Sequence, residues 1–245
     1  MNHSRWNLLP PAPDQCLVNA SGFSPLMAQL LYNRGLSEPS QIESFIVADK
    51  RLSGDPFLLP DMHQAVTRIY QALLSGENIA IYGDFDVDGI TATALLVQGL
   101  SILGSKATVY IPHRLTEGHG LGTAALENLY RQGVSLVITV DCGITGLSQV
   151  KKARKMGLDI IITDHHTPPP IIPPATAVVN PKLPNSNYPF SELAGVGVAF
   201  KLLQALLQGV GQEKQPDELL DLVALGTVAD MMPLLGENRY LLSTD

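Results

Sequence analysis

Cysteine is almost missing: among 245 residues there are two, Cys16 and Cys142, far apart and in unlike contexts. Neither a disulfide framework nor a thiolate zinc site can be assembled from them, which suits a reducing compartment. Charge is also scarce. Charged residues make up 16% of the chain against a typical ~25%, which excludes a disordered acidic tail, a coiled coil and a histone-like basic protein. Basic residues are the smaller share, 16 Lys and Arg against 23 Asp and Glu, for a net charge of −7, so the sum alone gives no broad surface for a polyanion. No apolar run approaches the ~18 residues of a membrane span, and the N-terminal MNHSRWNLLPPAPDQ carries prolines where a signal peptide needs its apolar stretch. The expectation is a cytoplasmic protein that is neither exported nor membrane-bound.

Hydrophobic residues, by contrast, make up 45% of the chain, enough for a substantial core. At ~150 residues per domain the length suits one α/β domain with a smaller attachment. Residues 1–75 read as loop followed by short helices at 24–33, 39–48 and 61–75, with an irregular connector at 52–60 broken by Gly54, Pro56 and Pro60. From Glu77 the period changes. Short apolar strands at 79–82, 107–111, 136–140, 159–163 and 177–179 alternate with helices at 91–103, 123–132 and 146–156 and a proline-rich loop at 167–174. Helices at 198–207 and 216–228 follow. This pattern predicts an α/β fold, a mainly parallel β-sheet with helices on both faces, preceded by a short helical N-terminal extension. The expected division is 1–75 for the extension and 76–245 for the α/β domain.

Three of the strands run into carboxylates. The first leads into DFDVDG at 84–89, bringing Asp84, Asp86 and Asp88; the third into Asp141, Cys142 and Gly143; the fourth into Asp164, His165 and His166. In an open parallel sheet the carboxyl ends of the strands form one edge, where ligands bind. Carboxylates packed that closely repel one another and call for cations. Oxygen ligands with imidazole and no thiolate favour Mn²⁺ or Mg²⁺ over structural zinc. Two such ions would offset about four negative charges, so a phosphate substrate is admitted despite the acidic sum. Two ions bridged by a carboxylate form a clamp for in-line attack at phosphorus, so phosphoester hydrolysis is the expected chemistry.

Blander alternatives stand beside each piece. DFDVDG opens like a calcium loop, but its twelfth position is Leu95 and a strand precedes it. It also suggests a haloacid-dehalogenase-type phosphatase with Asp84 as nucleophile, although Ile90 follows Gly89 where Thr is expected. A lone Asp141 could be a cap or turn residue, and Cys142 reads as a small buried neighbour. Gly195-Val196-Gly197 lacks a third glycine for a dinucleotide loop. Lys151, Lys152, Arg154 and Lys155 fall near the end of a crossover helix, hence at the opposite edge, as a solvated face. In the loop at 112–120, Arg114 and His119 are placed to hold phosphate by charge-assisted hydrogen bonds.

Taken in order, DFDVDG at 84–89, DCG at 141–143, DHH at 164–166 and GTVADMMPL at 226–234 resemble the four motifs of the DHH phosphoesterase superfamily. IYGD at 81–84, the loop at 112–120, NPK at 180–182 and LAGVGVAFK at 193–201 are most similar to its branch of bacterial single-strand-specific exonucleases. The resemblance implies Mn²⁺ or Mg²⁺, two ions, held by Asp84, Asp86, Asp141, His165 and Asp230, with Asp141 bridging. It implies a catalytic set of His166, Asp141 and Asp88, in which His166 lies beside the scissile phosphate while Asp88 and Asp164 fix the orientation of the ligands. Arg114 and His119 would bind substrate, Arg114 at the DNA backbone. The implied reaction is 5′→3′ release of mononucleotides from single-stranded DNA with a metal-activated water, in recombination and repair. Implied partners are single-stranded DNA, a single-strand-binding protein and a helicase.

The sequence departs from that pattern at Ala80, where many superfamily members have His, which speaks against the inorganic pyrophosphatase branch. His119 and Phe85 stand where the exonuclease branch usually has Tyr. The resemblance also implies a second, glycine-rich substrate domain and often an OB-type module, neither of which is found before Asp245, so a catalytic-domain portion is expected. A phosphodiesterase for short oligonucleotides or cyclic dinucleotides is the nearest alternative, and a non-catalytic scaffold is disfavoured because no ligand position is lost.

Overall fold

The computed structural model describes residues 7–211 and 215–243, and the chain forms two compact units that part between Leu52 and Ser53. The first holds α1 (Asp14–Asn19), α2 (Pro25–Asn33) and α3 (Pro39–Val47). Pro25 and Pro39 open their helices at the position where a missing N–H costs nothing, and the Ser24 hydroxyl accepts from Met27 N at 3.3 Å. Ala20, Ala28, Leu31 and Ile42, with Leu36 and Phe45 against them, make a small core. α1 went unanticipated because six residues with no buried side chain carry no periodic signal.

The second unit runs α4 (Met62–Ser75), β1 (Asn78–Gly83), α5 (Val87–Ile102), β2 (Thr108–Tyr110), α6 (Thr123–Arg131), β3 (Val134–Val140), α7 (Leu147–Met156), β4 (Asp159–Thr163), β5 (Ala177–Val179), α8 (Gly195–Gln208), α9 (Leu220–Ala229) and α10 (Gly236–Ser243). Its sheet has five strands in the order β2-β1-β3-β4-β5, all parallel. The central strands are apolar at nearly every position because both faces are covered. Ala80, Tyr82, Val137, Ile160 and Ile162 face the cluster holding Leu126 and Leu129 of α6 and Val150 and Ala153 of α7. The alternate residues Ile79, Ile81, Leu136, Ile138 and Ile161 are equally buried and point the other way, where α5 and α8 pack on the sheet. α4, grouped with the preceding helices in the sequence analysis, packs on β5 and α8.

The register decides where the chemistry lies. Gly83 pairs with Val140, Val140 with Thr163, and Thr163 with Val179. The next residue in each strand, Asp84, Asp141, Asp164 and Asn180, therefore stands in one row at the carboxyl edge.

Three helix starts differ from expectation, one of them that of α9, which begins at Leu220 and not at 216 because residues 215–219 form a 3-10 turn. α5 begins at Val87, not at residue 91, because Asp86 caps it by accepting from Gly89 N at 3.0 Å. Residues 87–90 are thus already helical, and DFDVDG does not form a twelve-residue calcium loop. α8 begins at Gly195 instead of 198, and α10 was not foreseen. α10 is held from inside: buried Glu237 pairs with buried Lys201 of α8 and accepts from Ser53 Oγ at 3.0 Å and Gly54 N at 3.2 Å. Charges so deep persist only when paired and hydrogen-bonded, and the residue after Glu237, Asn238, donates to Pro233 O at 3.0 Å in the turn that follows Asp230.

Candidate metal centre

At the end of β3 the backbone of Asp141 takes a left-handed conformation, φ 59°, a strained state for a residue with a side chain that clusters at functional sites. Its N–H still donates to Thr163 O at 3.0 Å, which keeps it in the sheet edge. The side chain is 2% exposed, and Asp141 Oδ1 has no hydrogen-bond partner among the described residues. The same holds for Nδ1 and Nε2 of buried His165. Asp141 Oδ1 lies 3.2 Å from His165 Nε2, with Asp230 Oδ2 at 3.6 Å and Asp88 Oδ2 at 3.9 Å from the same nitrogen.

Buried polar atoms are normally satisfied, so two orphans facing each other, Asp141 Oδ1 and His165 Nε2, demand a ligand. Two sets, Asp141 with His165 and His166, and Asp88 with His165 and Asp230, each bring one ligand atom per residue within 4.8 Å of the others. Carboxylate oxygens with imidazole nitrogen are the donor set of a hard or borderline divalent cation, so these residues fit Mn²⁺ or Mg²⁺.

Around this pair the other residues are occupied differently. Asp164 is fully used: Oδ1 accepts from His165 N at 2.8 Å, His166 N at 3.0 Å and His166 Nδ1 at 2.7 Å, and Oδ2 from Ile144 N at 2.9 Å. Burial works to raise its pKa, but the bonds from His166 and Ile144 outweigh it and hold the carboxyl below its ordinary value. In return the Asp164 bond raises His166 to about 9, so its ring is a cation at neutral pH. Asn180 donates to His166 O at 3.0 Å and fixes that turn. Asp88, from the first turn of α5, accepts from Gly195 N at 2.6 Å and Val196 N at 2.7 Å at the start of α8. Burial pushes it up to about 6 against those two donors.

Asp84 and Asp86 fall outside the two ligand sets among the described residues. Asp84 Oδ1 accepts from Phe85 N at 2.6 Å and Oδ2 lies 3.0 Å from His119 Nδ1, while Asp86 caps α5. They stand beside the centre nonetheless: Asp84 lines the same cavity as Asp141, and burial, then the charges of Asp88 and Asp86, push Asp141 up to about 10. Burial lowers His165 in spite of the Asp88 charge, which leaves it neutral and free to ligate. A cavity of about 230 Å³ opens here, lined by Asp84, His119, Asp141, Ile144, Asp164 and His166. Arg114 lies 5.4 Å from the centre of the Phe85 ring. Arg154 instead lines a separate cavity with Asp159, the first residue of β4, and so belongs to the opposite edge.

This row of acidic strand ends has a match along most of the second unit. Residues 78–227 fit the family model described as the DHH family, N-terminal domain. The chain belongs to the DHH family. It is 44% identical over 239 residues to the single-stranded-DNA-specific exonuclease RecJ of Bacillus subtilis (strain 168), an alignment covering 97% of this chain and 30% of that protein. Among solved structures, RecJ from Thermus thermophilus in complex with Mn²⁺ superposes with a TM-score of 0.79 at 34% identity, over 97% of this chain and 34% of that one. The Mg²⁺ complex of the same protein gives 0.66 at 31% identity, over 97% and 30%. The chain thus spans about a third of the length of these relatives.

In this DHH protein the signature triplet is Asp164, His165 and His166, and the structure divides it into a scaffold carboxylate, a buried neutral imidazole and a half-exposed cationic one. Sequence analysis gave too little weight to Gly195, which it weighed only as part of a dinucleotide loop and within LAGVGVAFK. A Cβ there would lie 2.5 Å from Asp141 Cβ and Oδ1, so only glycine admits the carboxylate. Gly195→Ala is expected to weaken Mn²⁺ binding by about 10- to 100-fold, as loss of a ligand's support does, while circular dichroism stays native. Unchanged affinity by calorimetric titration would contradict this crowding.

Proposed function

We propose that this chain is the phosphodiester-cleaving portion of a metal-dependent 5′→3′ single-stranded-DNA exonuclease. The observation that carries the reading is the approach of two unpartnered buried atoms, Asp141 Oδ1 and His165 Nε2, to 3.2 Å of each other at the carboxyl edge of the sheet. The RecJ relatives support the substrate class. Asp84, Asp86, Asp141, His165 and Asp230 would hold two Mn²⁺ or Mg²⁺ ions, with Asp141 shared. Bound there, the ions would supply charge neutralisation at the phosphate and an activated water.

The protein's own groups do the rest. His166, held cationic by Asp164, donates from its free edge to a phosphate oxygen in the cavity and stabilises charge that grows during displacement. Asp88 and Asp164 spend their lone pairs on backbone N–H groups and keep the ligand-bearing turns rigid. Arg114, placed against Phe85, meets the DNA backbone. Among the described residues no helix is long and apolar enough to cross a membrane, in keeping with a cytoplasmic protein working on single-stranded DNA, with a single-strand-binding protein and a helicase as candidate partners.

A time course on 5′- and 3′-labelled single-stranded DNA with Mn²⁺ tests the reading. Mononucleotides released first from the 5′ end are expected. Faster turnover of two- to five-residue oligonucleotides than of long strands would replace it with a short-oligonucleotide phosphodiesterase.

A further inference from the structure

His119 closes a loop, residues 111–122, that joins β2 to α6. The loop is tightly shaped for a surface segment. Glu117 accepts from the Tyr110 hydroxyl and from His113 N at 2.7 Å, and the Tyr82 hydroxyl donates to Gly120 O at 3.1 Å and accepts from Gly122 N at 3.0 Å. His119 is thereby delivered to Asp84, with its Nδ1 3.0 Å from Oδ2. A carboxylate acceptor at that distance selects the Nδ1–H tautomer. Because the other oxygen already accepts from Phe85 N, the two bonds together fix the plane of the Asp84 carboxylate.

The same imidazole does something else with its face. Its centre is 4.1 Å from that of the Phe85 ring, inclined at 44°, and the Arg114 guanidinium rests on the same phenyl ring at 5.4 Å. The stack holds a long cationic side chain against Phe85 with no acidic partner for it among the described residues, so its charge stays available for a phosphate.

We propose that His119 is a dual positioning residue: its Nδ1–H orients Asp84 for cation binding, and its ring, through Phe85, holds Arg114 ready for the DNA backbone. The inference rests on the metal-dependent reading above. Support of this kind for a ligating carboxylate typically changes metal affinity by ~10- to 100-fold.

Two substitutions separate the roles. His119→Phe keeps a ring against Phe85 and removes the donor; His119→Asn keeps an amide donor near the Nδ1 position and removes the ring. The side chain is two-thirds exposed, so neither should disturb folding, which thermal denaturation checks. Calorimetric titration with MnCl₂ alone should show His119→Phe weakened about 10-fold and His119→Asn close to the unsubstituted protein. Fluorescence anisotropy with labelled oligothymidylate in EDTA should show the reverse order, with Arg114→Ala as the reference for a lost backbone contact. Unchanged Mn²⁺ affinity in His119→Phe overturns the first role. Unchanged oligothymidylate affinity in His119→Asn, or no Arg114-dependent binding at all, overturns the second. Asp141→Asn serves as control: Mn²⁺ binding that survives this substitution would instead overturn the metal centre on which both roles depend.

Discussion

Asp141→Asn is expected to reduce phosphodiester cleavage by about 10³-fold or more, roughly 4 kcal/mol of transition-state stabilisation, and at the same time to stabilise the metal-free fold. Both follow from one arrangement. The carboxylate is 2% exposed, faces His165 Nε2 at 3.2 Å, and has an oxygen without a hydrogen-bond partner among the described residues. Asparagine has the same shape but no charge, so it cannot bridge two cations. Its amide can donate to His165 Nε2 just as the protonated carboxyl can, so that contact is kept. Asparagine stabilises the metal-free fold by removing the cost of proton uptake on folding, since burial and the charges of Asp88 and Asp86 raise Asp141 to about 10 while the unfolded aspartate is ionised at neutral pH. Activity assays and urea denaturation in EDTA check the pair of effects. A variant that loses activity together with stability would point to a structural aspartate instead.

Cation binding is expected to release about one proton at pH 7 and to tighten roughly tenfold per pH unit between pH 6 and 8. Burial and the neighbouring carboxylates push Asp141 up to about 10, far above the ~3.9 of an exposed aspartate. In the metal-free fold the group is therefore protonated at neutral pH, and a cation must displace that proton. His165, lowered by burial, is already neutral, and His166 is held near 9 by Asp164 in the metal-free fold. Asp88, raised only to about 6, is largely ionised at pH 7. The folding consequence has a definite sign: between about pH 4 and pH 10 the native state binds the Asp141 proton and the unfolded chain does not. Metal-free stability thus falls as pH rises through that window, and saturating Mn²⁺ removes the slope. Titration in buffers of different ionisation enthalpy measures the proton directly; affinity that does not change with pH would contradict the buried, protonated Asp141.

The sheet was legible because its strands leave little choice. The runs at 79–82, 136–140 and 160–163 are too short and too rich in β-branched residues for surface helices, and each leads into an aspartate. Parallel pairing then places Asp84, Asp141 and Asp164 in one row, as the register shows. What escaped depends on distance along the chain or on short elements. Asp88 receives its hydrogen bonds from Gly195 and Val196, more than a hundred residues later, and no local pattern announces that pairing. The start of α5 at Val87 follows from Asp86 acting as a cap, a role hidden by its look as a ligand. α10 is eight residues long and is held by the buried Glu237 and Lys201 pair, where a charge in the sequence reads as surface. The contact of His119 with Asp84 depends on a loop shaped by Glu117 and Tyr82, which composition cannot convey.

The central claim is that the carboxyl edge of the sheet holds two divalent cations that share Asp141. Anomalous diffraction from a crystal of the protein grown in Mn²⁺ measures this without reference to activity. Two peaks about 3.5–4 Å apart, with Asp141 between them and His165 at one, are the predicted result. A single peak away from Asp141, or none at saturating Mn²⁺, would contradict it.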